Sequence, residues 1–158
     1  MYGSSDELLN FERLIAELSA GFIGLEATRI DGAIETALQR VALALGIDRC
    51  SLISVSPWTG RIETTHSWAS PGSARTPLLN IAESNPWGLQ MARAGHPVVF
   101  SRLDDLPAEA AADRATAERI GLKSHVTMPM LVAGRLRGGL SFGALRAARE
   151  WPDELLGR

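Results

Sequence analysis

The sequence contains a single cysteine, Cys50, among its 158 residues. An internal disulfide is therefore excluded, and the composition fits a reducing compartment, for which the cytoplasm is the default. Neither sign of charge predominates, since the chain has 16 basic and 18 acidic residues. No strongly basic face is implied, so we expect this domain to contact neither nucleic acid nor an anionic membrane.

Long hydrophobic runs are also missing. No apolar stretch approaches the roughly 20 residues of a membrane span. The first residues, MYGSSDELLNFERL, lack the basic-then-apolar order of a signal peptide. No Walker loop, dinucleotide fingerprint or G-x-S-x-G elbow occurs. The three histidines, at positions 66, 96 and 125, are too scattered to indicate a zinc site. Neither a catalytic constellation nor a metal site is expected.

The first predicted element is an amphipathic helix over residues 6–24. Its apolar residues recur in steps of three and four, which is heptad spacing. The stripe consists of Leu8, Phe11, Ile15, Leu18 and Phe22. Two readings stay open at this point: the helix packs on its own sheet, or it also pairs with a second copy. Two heptads alone are too few for a stable coiled coil.

The following segments predict an alternation of helices and strands. After a linker over residues 25–30, a helix is expected over 31–45, then strands over 47–56 and 61–69 that form a hairpin. Strict alternation places Ile62, Thr64, His66 and Trp68 on one face of the second strand. A loop over 70–80 precedes a short helix that begins at Asn85-Pro86, a strand over 97–100 and a largely exposed helix over 107–121.

The clearest pattern is a β-hairpin over residues 123–145. Leu136, Leu140 and Phe142 are predicted on one face of its second strand, with Ser141 on the other. For the turn at Ala133-Gly134, a type I turn with Gly134 in the left-handed region is predicted, because alanine resists a positive φ.

These elements predict an α+β fold with one antiparallel sheet of about five to six strands. The terminal helices are expected on one face and a long excursion, residues 70–122, on the other. The chain is expected to form one domain over 1–158, with a possible dimerisation helix at 1–24. Residues 152–158, which follow Trp151 in the W-P-D-E-L-L stretch, are expected to be the start of a truncated helix in a longer protein.

The order and local sequences resemble a GAF domain, with its GAF/PAS-like sheet. The resemblance rests on IETALQRVALALGIDRCSLISV, on ERIGLKSHVTMPMLVAGRLRGGLSF and on W-P-D-E-L-L. Within these, the matching positions are Gly121, Pro129-Met130, Gly134, Gly138 and Ser141-Phe142. The sequence looks like the bacterial signalling type found in sensor kinases and transcriptional regulators. Its output domain would be a histidine kinase, a cyclic-di-GMP enzyme or a transcription activator.

The resemblance implies a sensory module that binds a small molecule between the sheet and the excursion, or that dimerises, or both. Aromatic walls with a few polar groups suit a small-ligand site. The candidate ligand-binding residues are His66, Trp68, Trp87, His125, Thr127 and Ser141. The alternatives are that the tryptophans only fill the core, that the histidines are structural, and that the domain is a ligand-free dimerisation or interaction module.

We do not expect this chain to share the chemistry of the enzymatic or cofactor-bearing members of this family. A GAF-type methionine sulfoxide reductase needs a reactive thiol with a resolving partner, whereas Cys50 lies in an apolar strand and is read as a small buried hydrophobe. The excursion has no cysteine, so no covalent bilin is expected. The cyclic-nucleotide signature N-K-x(n)-F-x(3)-D-E is not visible. No cofactor is identified, and an unknown small-molecule ligand stays open.

Overall fold

A computed structural model describes residue 13, residues 27–77 and residues 79–156. Four α-helices and five strands are described in these ranges. The helices are α1 (Ala27–Leu45), α2 (Ile81–Ser84), α3 (Pro86–Arg93) and α4 (Ala111–Arg119). The strands are β1 (Arg49–Val55), β2 (Ile62–Ala69), β3 (Val98–Phe100), β4 (Ser124–Val132) and β5 (Arg135–Ala144). Short 3₁₀ turns occupy Leu103–Asp105, Ala108–Ala110 and Asp153–Leu156.

The strands form one sheet in the order β2-β1-β5-β4-β3, and every neighbouring pair is antiparallel. The predicted α+β class and the antiparallel sheet are thereby confirmed. The dimerisation stripe of the first predicted helix lies outside the described residues.

One face of the sheet packs against α1. The apolar side chains of this helix recur at helical spacing, and the C-terminal segment contributes Trp151 to the same layer. The Trp151 indole Nε1 donates to the Phe100 carbonyl oxygen at 3.2 Å. The core of this layer consists of Leu38, Val41, Ala42, Ile47, Cys50, Val126, Phe142, Trp151 and Leu156. The excursion covers the opposite face.

A β-bulge in β2 overturns one sequence prediction. Leu52 pairs with His66 but Ile53 pairs with Thr64, so Thr65 is an extra residue. The extra residue moves the two halves of the strand to opposite faces. Ile62 and Thr64 face the excursion. His66 and Trp68 lie instead on the α1 face, where the His66 Nε2 is 2.8 Å from Asp31 Oδ1 and Trp68 packs against the α1 core.

A second bulge alters β5 in the same way. Met130 pairs with Gly138 but Leu131 pairs with Leu136, which leaves residue 137 unmatched. Leu136 therefore lies on the excursion side with Ser141. The prediction that Leu136 shares a face with Leu140 and Phe142 is wrong, because strict alternation cannot count an inserted residue.

The β4–β5 turn also differs from its prediction. Ala133 has φ 51° and Gly134 has φ 75°. Two positive φ values in a two-residue loop are those of a type I′ turn, whose twist matches that of the flanking strands. The demand of the strand twist outweighs the preference of alanine for negative φ, and the predicted type I turn is wrong.

The helices of the excursion follow the prediction in part. The predicted start at Asn85-Pro86 is confirmed, with Pro86 in the first turn of α3. The predicted helix over 107–121 is broken into a 3₁₀ turn followed by α4. Five of the nine α4 residues are exposed, in line with the prediction of a largely exposed helix, while Asp113, Thr116 and Ala117 are buried. These buried residues form one wall of the site described next.

Candidate functional site

A cavity of about 110 Å³ lies between the sheet and the excursion. Ligand pockets in proteins are mostly apolar with a few placed polar groups. Apolar side chains from both layers line most of the wall. They include Ile53, Ile62, Leu79, Ile81, Trp87, Leu89, Val98, Phe100, Leu106, Ile120, Leu122 and Leu136.

Polar side chains cross the floor of the cavity in two neighbouring rows, which we call the polar strip: Arg49 with His125, and Ser51 with Ser141 and Thr127. In the first row, Arg49 on β1 and His125 on β4 both pair with Gly143 of β5. In the second row, Ser51 and Thr127 both pair with Ser141. Side chains of directly paired residues share a face, so the antiparallel register alone brings these five groups together.

The hydroxyl row is hydrogen-bonded at each of its two ends. Thr127 Oγ1 and Ser141 Oγ are 2.9 Å apart, and Ser51 Oγ is 2.6 Å from the hydroxyl of Thr76. Ser51 also donates to Ser67 Oγ at 3.2 Å. These side-chain bonds link β1 to β2 and β4 to β5 beneath the cavity.

Arg49 is the one cation among the side chains that line the cavity, and only 3% of it is exposed. Its Nη1 donates to the Ala74 carbonyl oxygen at 3.2 Å. Its Nη2 is buried and has no hydrogen-bond partner among the described residues. Burial lowers the pKa of the guanidinium, but an arginine stays protonated at neutral pH.

His125 lies on β4, on the other side of Gly143 from Arg49. Its Nε2 is 2.5 Å from Thr127 Oγ1, its ring stacks on Phe100 with centroids 5.5 Å apart, and its buried Nδ1 has no partner among the described residues. Burial, and secondarily the charge of Arg49, lowers the pKa of His125 to about 4. The imidazole is therefore neutral at pH 7, with one nitrogen protonated.

The roof of the cavity is held by Asp113 of α4. Its Oδ1 accepts from the Trp87 backbone N–H at 3.1 Å, and its Oδ2 accepts from the Gly88 N–H at 2.7 Å. Asp113 thus accepts hydrogen bonds from two N–H groups at the start of α3. The side chain of Asn85, the N-cap residue of α3, makes no capping hydrogen bond there. The carboxylate fixes α3, and with it Trp87, over the floor.

The structure divides the predicted ligand-binding residues into two groups. Trp87, His125, Thr127 and Ser141 line the cavity. His66 and Trp68 do not, because the β2 bulge places them on the α1 face. That the four lining residues bind a ligand stays a prediction.

Sequence reasoning missed Arg49 and Asp113. For Arg49 a signal existed: a charged residue at the head of the apolar strand RCSLISV must be either paired or functional. For Asp113 there was none, because an aspartate in an alanine-rich helix is commonly solvated.

Cys50 lies on the opposite face of the sheet from the cavity, fully buried in the α1 core. Burial raises the pKa of its thiol to about 12, so it is not a nucleophile at neutral pH. Within the described ranges, no group of three or more His, Cys, Asp and Glu side chains is arranged to hold a metal ion. A search of the described helices for one long and apolar enough to span a membrane finds none.

Solved structures with the same fold include several GAF domains. The far-red absorbing dark state of JSC1_58120g3 with bound biliverdin IXa has a TM-score of 0.69 at 15% identity, over 94% of this chain and 91% of that one. The phycocyanobilin-bound GAF domain of a cyanobacterial phytochrome has 0.68 at 16%, over 97% and 87%. The GAF domain of an Acinetobacter phosphoenolpyruvate-protein phosphotransferase has 0.64 at 15%, over 96% and 84%.

These structures correct the expectation about cofactors. The sequence analysis identified no cofactor and set covalent bilin aside because the excursion lacks a cysteine. Two of the similar structures hold a bilin, biliverdin in one and phycocyanobilin in the other. The lack of a cysteine in the excursion is thus too narrow a criterion for setting a bilin aside.

Family membership follows from the sequence match together with the fold. No curated protein matches the sequence. The family model of the GAF domain matches residues 29–157, from within α1 to the end of the C-terminal 3₁₀ turn and one residue beyond. The similar GAF structures repeat the sheet and its covering excursion at low identity. The chain belongs to the GAF domain family.

Proposed function

We propose that this GAF domain is a regulatory module of signal transduction that binds a small molecule in the cavity. The observation that carries the proposal is the mostly apolar cavity with a polar strip on its floor, in which two buried polar atoms have no hydrogen-bond partner in the part of the chain that the structure describes. A core without a binding cavity would not be expected to leave buried polar atoms unpaired, since such atoms are costly. Because similar GAF domains hold biliverdin and phycocyanobilin, tetrapyrroles are among the ligands to test.

The proposed output runs through the other face of the sheet. A ligand shifts an equilibrium only by its differential affinity for two states, typically by 1–3 kcal/mol. The strands that carry the polar strip pack on their reverse side against α1 and Trp151. These segments are the proposed route to an attached histidine kinase, cyclic-di-GMP enzyme or transcription activator.

The role we propose is regulatory rather than catalytic. The chain's one thiol is buried behind the sheet with a raised pKa, and the neutral His125 hydrogen-bonds to a threonine rather than to a nucleophile. Both features suit a binding floor better than a reaction centre.

Filling the cavity tests this proposal. Ser141→Leu places an isobutyl group at the centre of the floor, and we expect it to abolish the stabilisation that a bound ligand gives. The wild type is melted with haem, biliverdin, phycocyanobilin, nucleotides and small acids. At a concentration of about 100 Kd a ligand adds about 2.7 kcal/mol to the free energy of unfolding, a rise of several degrees in Tm.

The matched control is Ser54→Leu, the same substitution on β1 at a residue that does not line the cavity. It should keep the full ligand-induced shift. The proposal fails if no compound stabilises the wild type, or if the shift survives unchanged in Ser141→Leu.

We propose a homodimer as a second property of the module. It is favoured by the heptad stripe of residues 6–24, in particular by Phe11 and Ile15. Phe11→Asp places a charge in the stripe and should convert a dimer to a monomer while leaving the circular dichroism spectrum unchanged. Sedimentation velocity at high concentration measures this. A wild type that sediments as a monomer, or a Phe11→Asp protein that stays dimeric, would contradict it.

A further inference from the structure

We infer that the ligand of this cavity carries a carboxylate on an apolar body, and that the carboxylate binds over Gly143 between Arg49 and His125. The inference rests on the proposed function, that the cavity holds a small molecule, and adds its chemical class.

The first argument is the unbalanced charge of Arg49. A buried ionised group is stable only when it is paired and hydrogen-bonded. Among the described residues, no carboxylate lies within ion-pair distance of the Arg49 guanidinium, and its Nη2 is unpartnered. Asp113 also lines the cavity, but both of its oxygens accept from the backbone of α3. The cavity floor therefore offers one uncompensated positive charge to a ligand.

The second argument is the space above Gly143. Arg49 and His125 each pair with Gly143 from opposite sides, so their backbones are two strand spacings apart, about 10 Å. The residue between them has no side chain, which leaves a slot flanked by a guanidinium and an imidazole. A Cβ at residue 143 would project into this slot and meet Leu122 Cδ1 at 3.3 Å. Leu122 thus lies over the slot, and the end of its side chain moves aside when a carboxylate enters.

The third argument is that the two unpartnered atoms suit one carboxylate. Nη2 of Arg49 is a donor. The Nδ1 of a neutral His125 becomes a donor when its Nε2 accepts from the Thr127 hydroxyl, which can in turn accept from Ser141. A carboxylate has two acceptor oxygens and can take one hydrogen bond from each side of the slot. Its presence would select the Nδ1–H tautomer and fix the direction of the hydroxyl row.

The fourth argument separates a carboxylate from a phosphate. A phosphate monoester carries a charge of about −1.5 to −2 at pH 7 and three acceptor oxygens. The slot provides one cation, and most of the surrounding wall is apolar. A phosphate would leave charge and oxygens unsatisfied, whereas a monoanionic carboxylate balances Arg49 and leaves its apolar body against the wall.

The experiment compares acids with their neutral counterparts. Octanoate and octanamide represent an aliphatic body, benzoate and benzamide an aromatic one, and phenyl phosphate the dianion. Each is titrated into the protein by calorimetry and by thermal melting. We expect at least one acid to bind about 30-fold or more tightly than its amide, which is the usual effect of losing a buried charged hydrogen bond. Phenyl phosphate should bind more weakly than benzoate.

Two variants locate the site. Arg49→Met should remove the preference for the acid and should not lower the Tm of the free protein, because replacing buried charged groups by well-packed apolar side chains is often neutral or stabilising. Gly143→Ala fills the slot at the flexible end of Leu122 and should weaken the acid more than the amide. The matched control is Arg61→Met at an exposed arginine, which should change neither value.

The outcomes distinguish the inference from the proposed function. Equal binding of acid and amide, lost in Ser141→Leu, would overturn the carboxylate slot and keep the cavity as a binding site. Unchanged acid preference in Arg49→Met, or preference for phenyl phosphate, would overturn the slot as well. If neither these probes nor the tetrapyrroles, nucleotides and other compounds of the wider set bind, both are overturned. Should Arg49→Met not fold, Gly143→Ala decides alone.

Discussion

Gly138→Ala is expected to lower the free energy of unfolding by about 3 kcal/mol or more, enough to unfold much of a marginally stable domain. A Cβ at this residue would lie 2.3 Å from the Ile53 carbonyl oxygen. Real Cβ atoms do not approach an oxygen so closely, and this oxygen belongs to the backbone of the neighbouring strand, which cannot rotate away. The clash is relieved only by separating β1 from β5 at the centre of the sheet.

Two further glycine-to-alanine substitutions are controls for the loss of unfolding free energy. At Gly139 a Cβ would lie 3.2 Å from the Met128 carbonyl oxygen, a contact that a shift of a few tenths of an ångström relieves, so a loss of about 1 kcal/mol is expected. At Gly32 in α1 nothing lies within 4 Å, and alanine should stabilise the helix by roughly 0.5–1 kcal/mol. Urea unfolding of the three variants measures this order. A Gly138→Ala protein as stable as the Gly139→Ala protein would contradict the clash.

Gly138 also shows why the family resemblance predicted the fold better than it predicted the site. The resemblance used this glycine as a motif position, and the structure shows the physical need: two strands approach closely beside the β5 bulge. The two hairpins, the approximate strand limits and the start of α3 at Pro86 were predictable, because they depend on short-range patterns of apolar, turn and capping residues.

The site was only partly predictable because its faces depend on two single-residue bulges. Strict alternation placed His125, Thr127 and Ser141 correctly relative to one another, since no bulge separates them. In β2 the same rule moved His66 and Trp68 to the wrong face. A bulge is stabilised by contacts across the sheet and leaves no periodic signal in the strand itself.

Long-range pairing accounts for the other omissions. Arg49 and His125 are 76 positions apart and meet only because both pair with Gly143. Asp113 reaches back 25 positions to the N–H of Gly88. Neither relation can be derived from local spacing, and both become visible once the register of the sheet and the position of α4 are known.

Acidification is expected to remove stability through His125, by about 3 kcal/mol in total. The pKa of a histidine in the unfolded chain is about 6.5, and in the folded domain that of His125 is about 4. Between these values the unfolded state binds more protons than the folded state, so the free energy of unfolding decreases as the pH falls. The contribution of His125 is intact above about pH 6.5 and is lost as the pH falls through about 4.

The measurement is urea unfolding at intervals from pH 7.5 to pH 4.5, in the wild type and in His125→Gln. Glutamine keeps a polar group near Thr127 but does not titrate. We expect the variant to be less stable at pH 7.5 and to lose less stability on acidification. The slope of its free energy of unfolding against pH should correspond to the uptake of up to one proton fewer. All other side chains are the same in both proteins, so the difference between the two curves isolates His125. Parallel curves would contradict the prediction.

Arg49→Met separates the two causes of the lowered pKa. Burial is the larger cause and the positive charge of Arg49 the smaller one, so removing the charge should raise the pKa of His125 only part of the way towards 6.5. The pH-dependent loss in this variant should therefore begin at the same pH, end at a higher one and be smaller in total. A carboxylate bound over Gly143 should act in the same direction, since a negative charge beside the imidazole favours its protonated form. An unchanged pH profile in Arg49→Met would show that the two side chains, although joined by one row of the sheet, do not interact across the slot.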